Sequence, residues 1–382
     1  MPVVLAVIAV ILILLLIFLL FRKSETSAQV QKFPAKKTSG QAKYKADNTL
    51  SKQFYNTDAQ RNMLFEVYPS LREIIYFSVP DEVFPTRIEN IEENIQETIR
   101  GKISSIKPIS ANYVNLLNLL RNPESNPREI STIVSTNPVF SAKILQTVNS
   151  AYFGLTDRVT SLGRAITLLG YNNVRALVFQ DSLGVGTAAG QPGKPEAYIN
   201  IWIHSAIVSV CAGYLGKKIF QFSEYDLATM GLLHDIGKYY YQLLEIQGEA
   251  APDLPAIIQE EQQYGINHAT LGSLIAKNWQ LSDSIIQSIA YHHYPNFFLP
   301  ESIVPGTYLK ESFVVCLSDL IAKVLGYKGQ GDDILPIREE YFKMFHLSQE
   351  LSEIVTPDLT KEIEKTRLTV ESYIKVTASD AI

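Results

Sequence analysis

Gly231-Leu232-Leu233-His234-Asp235-Ile236-Gly237-Lys238 places a histidine and an aspartate side by side inside an otherwise apolar run. A neighbouring imidazole and carboxylate suit a divalent metal with mixed nitrogen and oxygen ligation. Outward from this stretch, His204 sits in YINIWIHSAIVSVCAGYLGKK, His268 between Gly265 and Gly272, His292 and His293 at the end of SDSIIQSIAYHHYP, and Asp319 in SFVVCLSDLIAKVLG. Each can come from its own helix to one place. His346, in KMFHLSQ, lies apart from the set.

Taken singly, each residue has a simpler explanation. His204 can be a hydrogen-bonded core histidine, and His268 a polar residue at a helix start. His292 and His293 can complement a helix dipole. Asp319 can pair with Lys323 at i+4 on an exposed face. Lys238 follows His234 by four residues and Asp235 by three, so it shares their side of a helix; it either snorkels to the surface or meets an anionic oxygen. A His–Asp pair, histidines from three other helices and a distal Asp are together hard to assemble by accident.

The fold reads as all-α. Ser223 or Asp226 caps a helix expected to run through Leu244 and to contain His234 and Asp235. Upstream, Tyr113, Leu116, Leu117 and Leu120 share one helix face. Asn122-Pro123, Asn126-Pro127 and Asn137-Pro138 punctuate short helices at Arg128–Ser135 and from Pro138, and NSAYFG at 149–154 ends the latter. Ser161 precedes a further helical stretch, LGRAITLLGYNNVRALVFQDSL. No strand alternation of any length appears, which favours compact helical packing. Gly184–Pro195 (GVGTAAGQPGKP) lacks the first glycine and the Ser/Thr of a phosphate loop and reads as a connector. Ile337–Phe345 and Leu359–Ile374 read as terminal helices that either complete the core or form a dimer surface.

The chain has 382 residues, 46% hydrophobic and 19% charged, which fits a folded protein of more than one domain. Its net charge of −5 argues against a nucleic-acid binder. Nine basic and three acidic residues make Arg22–Asn62 strongly positive, and the remainder is acidic. Cys211 and Cys316 both lie in apolar helical runs and do not form a disulfide framework.

Val3–Phe21 is an unbroken run of 19 apolar residues, about 28 Å as a helix, close to the hydrocarbon thickness of a bilayer. Only Met1 and Pro2 precede it, and Arg22 and Lys23 follow. This pattern favours an uncleaved anchor over a signal peptide and puts the rest of the chain in the cytoplasm, at the inner membrane. The expected organisation is a transmembrane anchor at 1–23, a basic flexible linker at 24–57 and a helical segment at 58–101. A main helical domain follows at 102–322, with lobes at 102–183 and 196–322, and C-terminal helices at 323–382. Asp58 is expected to cap a helix through Leu71. From Thr86, Ile88, Ile91, Ile95 and Ile99 form a narrow apolar stripe that favours packing within the chain.

GLLHDIGK resembles the signature of the HD superfamily of metal-dependent phosphohydrolases. His204, His234, Asp235 and Asp319 follow that superfamily's order, and His268, His292 and His293 match the further histidines of its HD-GYP branch. More specifically, the chain resembles the HDOD domain (HD-related output domain) over roughly Lys102–Asp319. The resemblance rests on Asn137-Pro138, NSAYFG, AITLLG at 165–170, WIHS at 202–205, GLLHDIGK, Gly265…His268…Gly272, Trp279 and YHHYP at 291–295. It implies a two-lobed all-α bundle in a bacterial signalling protein. It also implies one divalent ion (Mn, Fe, Co, Ni or Zn) on His204, His234, Asp235 and Asp319, and a second on His268, His292 and His293. Two departures stand out: Tyr294 occupies the position where HD-GYP proteins carry Glu, and no GYP follows. The preferred reading is a membrane-tethered output module that binds a signalling partner protein or a nucleotide, including a cyclic dinucleotide. The alternative is a metal-dependent phosphohydrolase or phosphodiesterase in which Asp235 and Lys238 act catalytically.

Overall fold

The structure, a computed structural model, describes residues 84–86, 90–91, 93–104, 111–122, 124–183, 195–244, 248–302, 308–329, 333–347 and 354–379. Among these every regular element is helical. The expected anchor at Val3–Phe21, the basic linker, the helix from Asp58 and the 184–194 connector lie outside the described residues.

Five short helices and one longer one open the fold: α1 (Glu93–Ile103), α2 (Ala111–Arg121), α3 (Pro127–Val134), α4 (Pro138–Val148), α5 (Leu162–Leu169) and α6 (Tyr171–Leu183). The Asn-Pro pairs do more than interrupt helices. Asn126 accepts from Arg128 N and Glu129 N, and Asn137 from Phe140 N, each at 3.0 Å, with Pro127 and Pro138 at the first helical position. An N-cap oxygen satisfies amide groups the helix leaves open, and proline there gives up no hydrogen bond. Asn149 pins the loop after α4 by bonding Leu145 O, Val159 O and Val159 N at 2.7–2.8 Å.

The second lobe is built on α7 (Pro195–Lys218), about 36 Å long by its residue count. It packs on α8 (Glu224–Leu233), on α13 (Leu309–Val324) and on the C-terminal α15 (Pro357–Ser379). Between them lie α9 (Ala256–Tyr264), α10 (His268–Asn278), α11 (Asp283–Tyr291), the short α12 (Tyr294–Phe297) and α14 (Glu339–Met344). Ala197–Lys218 is long and apolar enough to cross a membrane, but 78% of its most apolar window is buried inside the protein and it carries His204. It is apolar all round because it is the axis of the core. Cys211 and Cys316 are buried free thiols on α7 and α13.

Three sequence expectations change here. The helix expected through Leu244 stops at Leu233; His234 and Asp235 form a turn, and Ile236–Leu243 winds as a 3₁₀ helix. Its tighter winding sets the backbone of Gly237 against α10, where a Cβ would lie 2.1 Å from His268 O and 2.9 Å from Gly272 N. The isoleucine stripe belongs to a helix that begins only at Glu93 and continues to Ile103. Ile99 is buried, Ile91 and Ile95 pack on the core and α1 packs on α10, so these three positions of the stripe pack within the chain, while Ile88 lies outside the described residues. The choice left open for the C-terminal helices falls to the core: Leu359, Ile363, Val370 and Tyr373 of α15 are buried. Tyr373 meets Trp202 of α7 edge-on at 5.6 Å and donates to Asp181 of α6 at 3.2 Å. Asp181 also accepts from Tyr113 of α2 and, at 3.1 Å, from Lys143 of α4, so one carboxylate ties four helices.

Gly237→Ala is expected to lose about 3 kcal/mol or more, at or above the usual range for overpacking, because the obstacle is backbone. Gly101→Ala, in α1 with nothing within 4 Å of its added Cβ, is expected to gain up to about 1 kcal/mol from helix propensity. Urea unfolding of the two variants beside the parent checks the contrast, and equal effects would disprove the close approach.

Candidate metal centre

Five elements deliver the ligand candidates. His204 comes from the middle of α7, and His234 and Asp235 from the turn after α8. His268 opens α10, whose N-cap Asn267 accepts from Thr270 N at 2.8 Å. His292 and His293 form the turn between α11 and α12, and Asp319 lies within α13. The residues expected from sequence as ligands, together with Lys238, are each no more than 7% exposed. His346 stays away from them, in a turn after α14.

Each imidazole is anchored through Nδ1. His204 Nδ1 donates to Tyr327 O (2.6 Å), His234 to Gly231 O (2.8 Å) and His292 to Ile289 O (2.7 Å). His268 donates to Glu260 Oε2 (2.6 Å) and His293 to Asn296 Oδ1 (3.2 Å). A neutral ring that donates through Nδ1 carries a bare lone pair on Nε2. Those lone pairs face one another: His204–His234 at 3.2 Å, His268–His292 at 3.3 Å and His268–His293 at 3.1 Å. Two nitrogens without a proton between them repel at such distances, so the arrangement calls for a cation.

The carboxylates complete the set. Asp235 Oδ1 is 3.2 Å from His268 Nε2, and its Oδ2 is 3.6 Å and 3.5 Å from the Nε2 atoms of His204 and His234. Asp319 Oδ1 is 3.1 Å from His204 Nε2. Both Oδ1 atoms are buried without a hydrogen-bond partner. An orphaned buried carboxylate oxygen is costly unless something positive meets it. The other oxygens are taken: Lys238 Nζ is 2.8 Å from Asp235 Oδ2, and Lys323 Nζ is 2.9 Å from Asp319 Oδ2. Among the described residues, three groups have ligand atoms mutually close enough for one ion: His268–His292–His293, His204–His234–Asp319 and His234–Asp235–His292. The donors therefore fit a divalent transition metal, with Asp235 facing both histidine groups.

Burial controls the ionisation of these groups. It pulls the His234 imidazole down to about 4, and it holds His292 and His293 well below the usual histidine range, helped by neighbouring imidazoles. For Asp235 and Asp319 burial pushes the other way. The ammonium groups of Lys238 and Lys323 work against it, and both carboxyls are held well below their ordinary value. His234, His292 and His293 thus favour the neutral form and the two aspartates the ionised one, the states that bind metal.

Lys238 shares the side of Asp235, with its ammonium bound to that carboxylate. One expectation needs correction. The Asp319–Lys323 pair forms, yet it lies in the interior and not on an exposed face. Sequence reasoning missed Glu260, whose carboxylate also accepts from His268 N at 2.9 Å. It also missed Asn296, which holds His293, and Tyr327 O, which holds His204. Glu260 becomes adjacent only because Gly265, at φ 74°, turns α9 back beside α10, and nothing in EEQQYGINH distinguishes it from Glu261. Tyr294, at the position where a relative would carry Glu, packs among Tyr291 and Phe298 at ring distances of 4.7 and 4.8 Å.

Comparison with known proteins matches this description. Residues 106–295 fit the family model of the HDOD domain. An uncharacterized protein of Treponema pallidum (strain Nichols) is 24% identical over 219 residues, covering 53% of this chain and 42% of that protein, so the chain spans less than half of that relative's length. Among solved structures, an HDOD domain protein of unknown function from Geobacter sulfurreducens aligns with a TM-score of 0.51 at 17% identity, over 73% of this chain and 99% of that one. A protein proposed to act in signal transduction, from Marinobacter aquaeolei VT8, aligns with a TM-score of 0.53 at 17% identity, over 86% of this chain and 68% of that one. Such identities speak for the fold. With the helical architecture and the family match over the same region, the chain carries an HDOD domain at residues 106–295.

Proposed function

We propose that this chain is a signalling output module that works by binding a partner protein or a nucleotide, and that its His/Asp centre holds a divalent metal as part of the domain's interior. The observation that carries this reading is the enclosure of the centre: the proposed ligands are all buried, and the nearest cation to either carboxylate is a lysine of the chain itself. Enclosure suits a scaffold better than a site that must admit a phosphate ester. The aromatic packing of Tyr294, where a catalytic relative would carry Glu, supports the same reading.

The alternative is a metal-dependent phosphohydrolase or phosphodiesterase with one or two ions on the same residues. The completeness of the ligand set favours it. An ion held there would supply Lewis-acid polarisation of a phosphoryl oxygen, and Asp235 would orient it from its place between the two histidine groups. The full chain, purified with its metal content measured, decides between the two when assayed with Mn²⁺ or Fe²⁺ against a generic phosphodiester, nucleotides and cyclic dinucleotides. The module reading expects bound metal and no turnover. Turnover abolished by Asp235→Ala would replace it with the enzyme reading.

Lys238 offers a second discriminator. As the counter-ion of a buried carboxylate, its loss in Lys238→Met is expected to destabilise chelator-treated protein by about 3–5 kcal/mol, while the double variant with Asp235→Asn recovers a large part. A lysine kept for substrate would leave chemical denaturation nearly unchanged.

We further propose that the module is tethered to the cytoplasmic face of the inner membrane by Val3–Phe21, with its Lys-rich linker against anionic headgroups. The support is the apolar run followed by Arg22 and Lys23. The full chain is expected in the membrane fraction after a high-salt and alkaline wash, with the linker open to trypsin only from the cytoplasmic side. Recovery in the soluble fraction would end the proposal.

A further inference from the structure

We propose that Phe84-Pro85-Thr86 is a latch: it closes the seam between the start of α10 and the end of α12, and its release opens the imidazoles of His268, His292 and His293 to small molecules. The segment precedes the region that fits the family model. Its action depends neither on metal in the centre nor on a membrane tether. It makes the enclosure that the module reading rests on a state the chain can leave.

Thr86 holds one side of the seam. Its N–H donates to Glu261 Oε1 at 2.8 Å and its hydroxyl to Glu261 Oε2 at 3.2 Å. The same Oε1 accepts from Asn267 Nδ2 at 2.6 Å. Asn267 caps α10 through Thr270 N and directly precedes His268, while Glu260, beside Glu261 in the chain, holds the His268 ring. Phe84 holds the other side. It stacks on Phe298 at 5.5 Å between ring centroids. Phe298 closes α12 and packs at 4.8 Å on Tyr294, the residue after His293. Two residues of chain reach at most about 7 Å, so the latch keeps these two elements to one short span. They carry His268 and His293, whose Nε2 atoms face each other at 3.1 Å.

The hold is light. Phe84 is 50% exposed and Thr86 is exposed; of the three residues Pro85 alone is buried. A segment kept only to fill the core would bury its aromatic ring first, because the ring carries most of the apolar area. Here one ring face and two hydrogen bonds to a half-buried carboxylate do the holding, and contacts of that kind open locally without unfolding a domain. α1 follows the latch and packs on α10, so the chain is held again downstream of Thr86. A partner that takes the exposed face of Phe84 therefore competes with the stack on Phe298. Behind the latch stand imidazoles fixed through Nδ1, with bare lone pairs on Nε2. Uncovered, these nitrogens accept a proton, a small hydrogen-bond donor or a cation from solution.

Accessibility of the histidines tests the latch, on full-length protein stripped with chelator, so the outcome is the same whether or not the centre binds metal. Diethyl pyrocarbonate acylates unprotonated imidazole nitrogens, and mass spectrometry of tryptic peptides gives the rate at each histidine. In the parent, His346, exposed in its turn, is expected to react fast, and His268 and the His292–His293 pair slowly. Phe84→Ala and Thr86→Pro, which removes the N–H, are expected to raise the rates at His268 and His292–His293 about tenfold, the weight of an aromatic pair or of hydrogen bonds lost from a local equilibrium. Phe84→Tyr keeps the stack and is expected at the parent's rates, as is Tyr152→Ala, the loss of an exposed aromatic on the first lobe. Unchanged rates in both latch variants would overturn the proposal, and so would a parent in which His268 reacts as fast as His346. An equal rise at His204 and His234 would overturn it as well, because the whole lobe would then have loosened. If Thr86→Pro does not fold, Phe84→Ala and Thr86→Val, which loses only the hydroxyl bond, still decide.

Discussion

Five imidazoles point bare nitrogens at one another inside this protein, and the rest of the second lobe is arranged so that they must. Each ring is fixed by a bond from Nδ1 to a carbonyl, an amide or a carboxylate on its far side. The orientation of the lone pairs is thereby decided by the backbone and not by the rings themselves. Lone pairs packed this closely repel, and two buried carboxylate oxygens beside them lack partners. Such a cluster is tolerable only with positive charge nearby, which the chain supplies in part through Lys238 and Lys323.

Those lysines change how the fold depends on metal. Structural zinc sites in small domains hold nothing together once the ion leaves. Here a large apolar core surrounds the centre, and each aspartate keeps an ammonium at hydrogen-bond distance. Removing one partner of a buried pair strands the other's charge, which is why such pairs resist change even where an apolar replacement of both would be harmless. The helices meet closely enough to hold this geometry because small residues sit at the crossings. Gly231 lies against Val208 O, Gly237 against His268 O and Gly272 against Ile236, each where a Cβ would be crowded.

The candidate ligand residues were legible from sequence because their types are rare in apolar runs: an Asp or His amid Val, Leu and Ile declares itself. The all-α class was legible from periodicity and from the Asn-Pro breaks. The turn at His234–Asp235 was not, because GLLHDIGK keeps helical spacing, and only the contact of Gly237 with α10 shows why the winding tightens. Glu260, Asn296 and Tyr327 were hidden for another reason. They act through contacts between elements distant in sequence, and a polar residue near a helix end looks the same whether it faces water or a histidine. Lys323 was visible as an i+4 partner of Asp319, but its burial depends on α13 being enclosed from all sides, which no local pattern encodes.

The centre also reaches beyond the matched domain. Residues 106–295 contain the five histidines and Asp235, while Asp319, Lys323 and Tyr327 come from the segment after it. That segment ends in α15, whose Tyr373 sits on Trp202, two residues before His204, and reaches Asp181 in the first lobe. The hydrogen bond that orients His204, the carboxylate that faces it and the helix that supports its backbone thus all lie outside the stretch that carries the family match. Without residues after 295, His204 and His234 would face one another with neither Asp319 nor the Lys323 charge beside it, and the Trp202 face of α7 would be exposed. The matched domain and its C-terminal continuation are therefore one folding unit around one charge problem, and a fragment cut at 295 lacks the half that balances it.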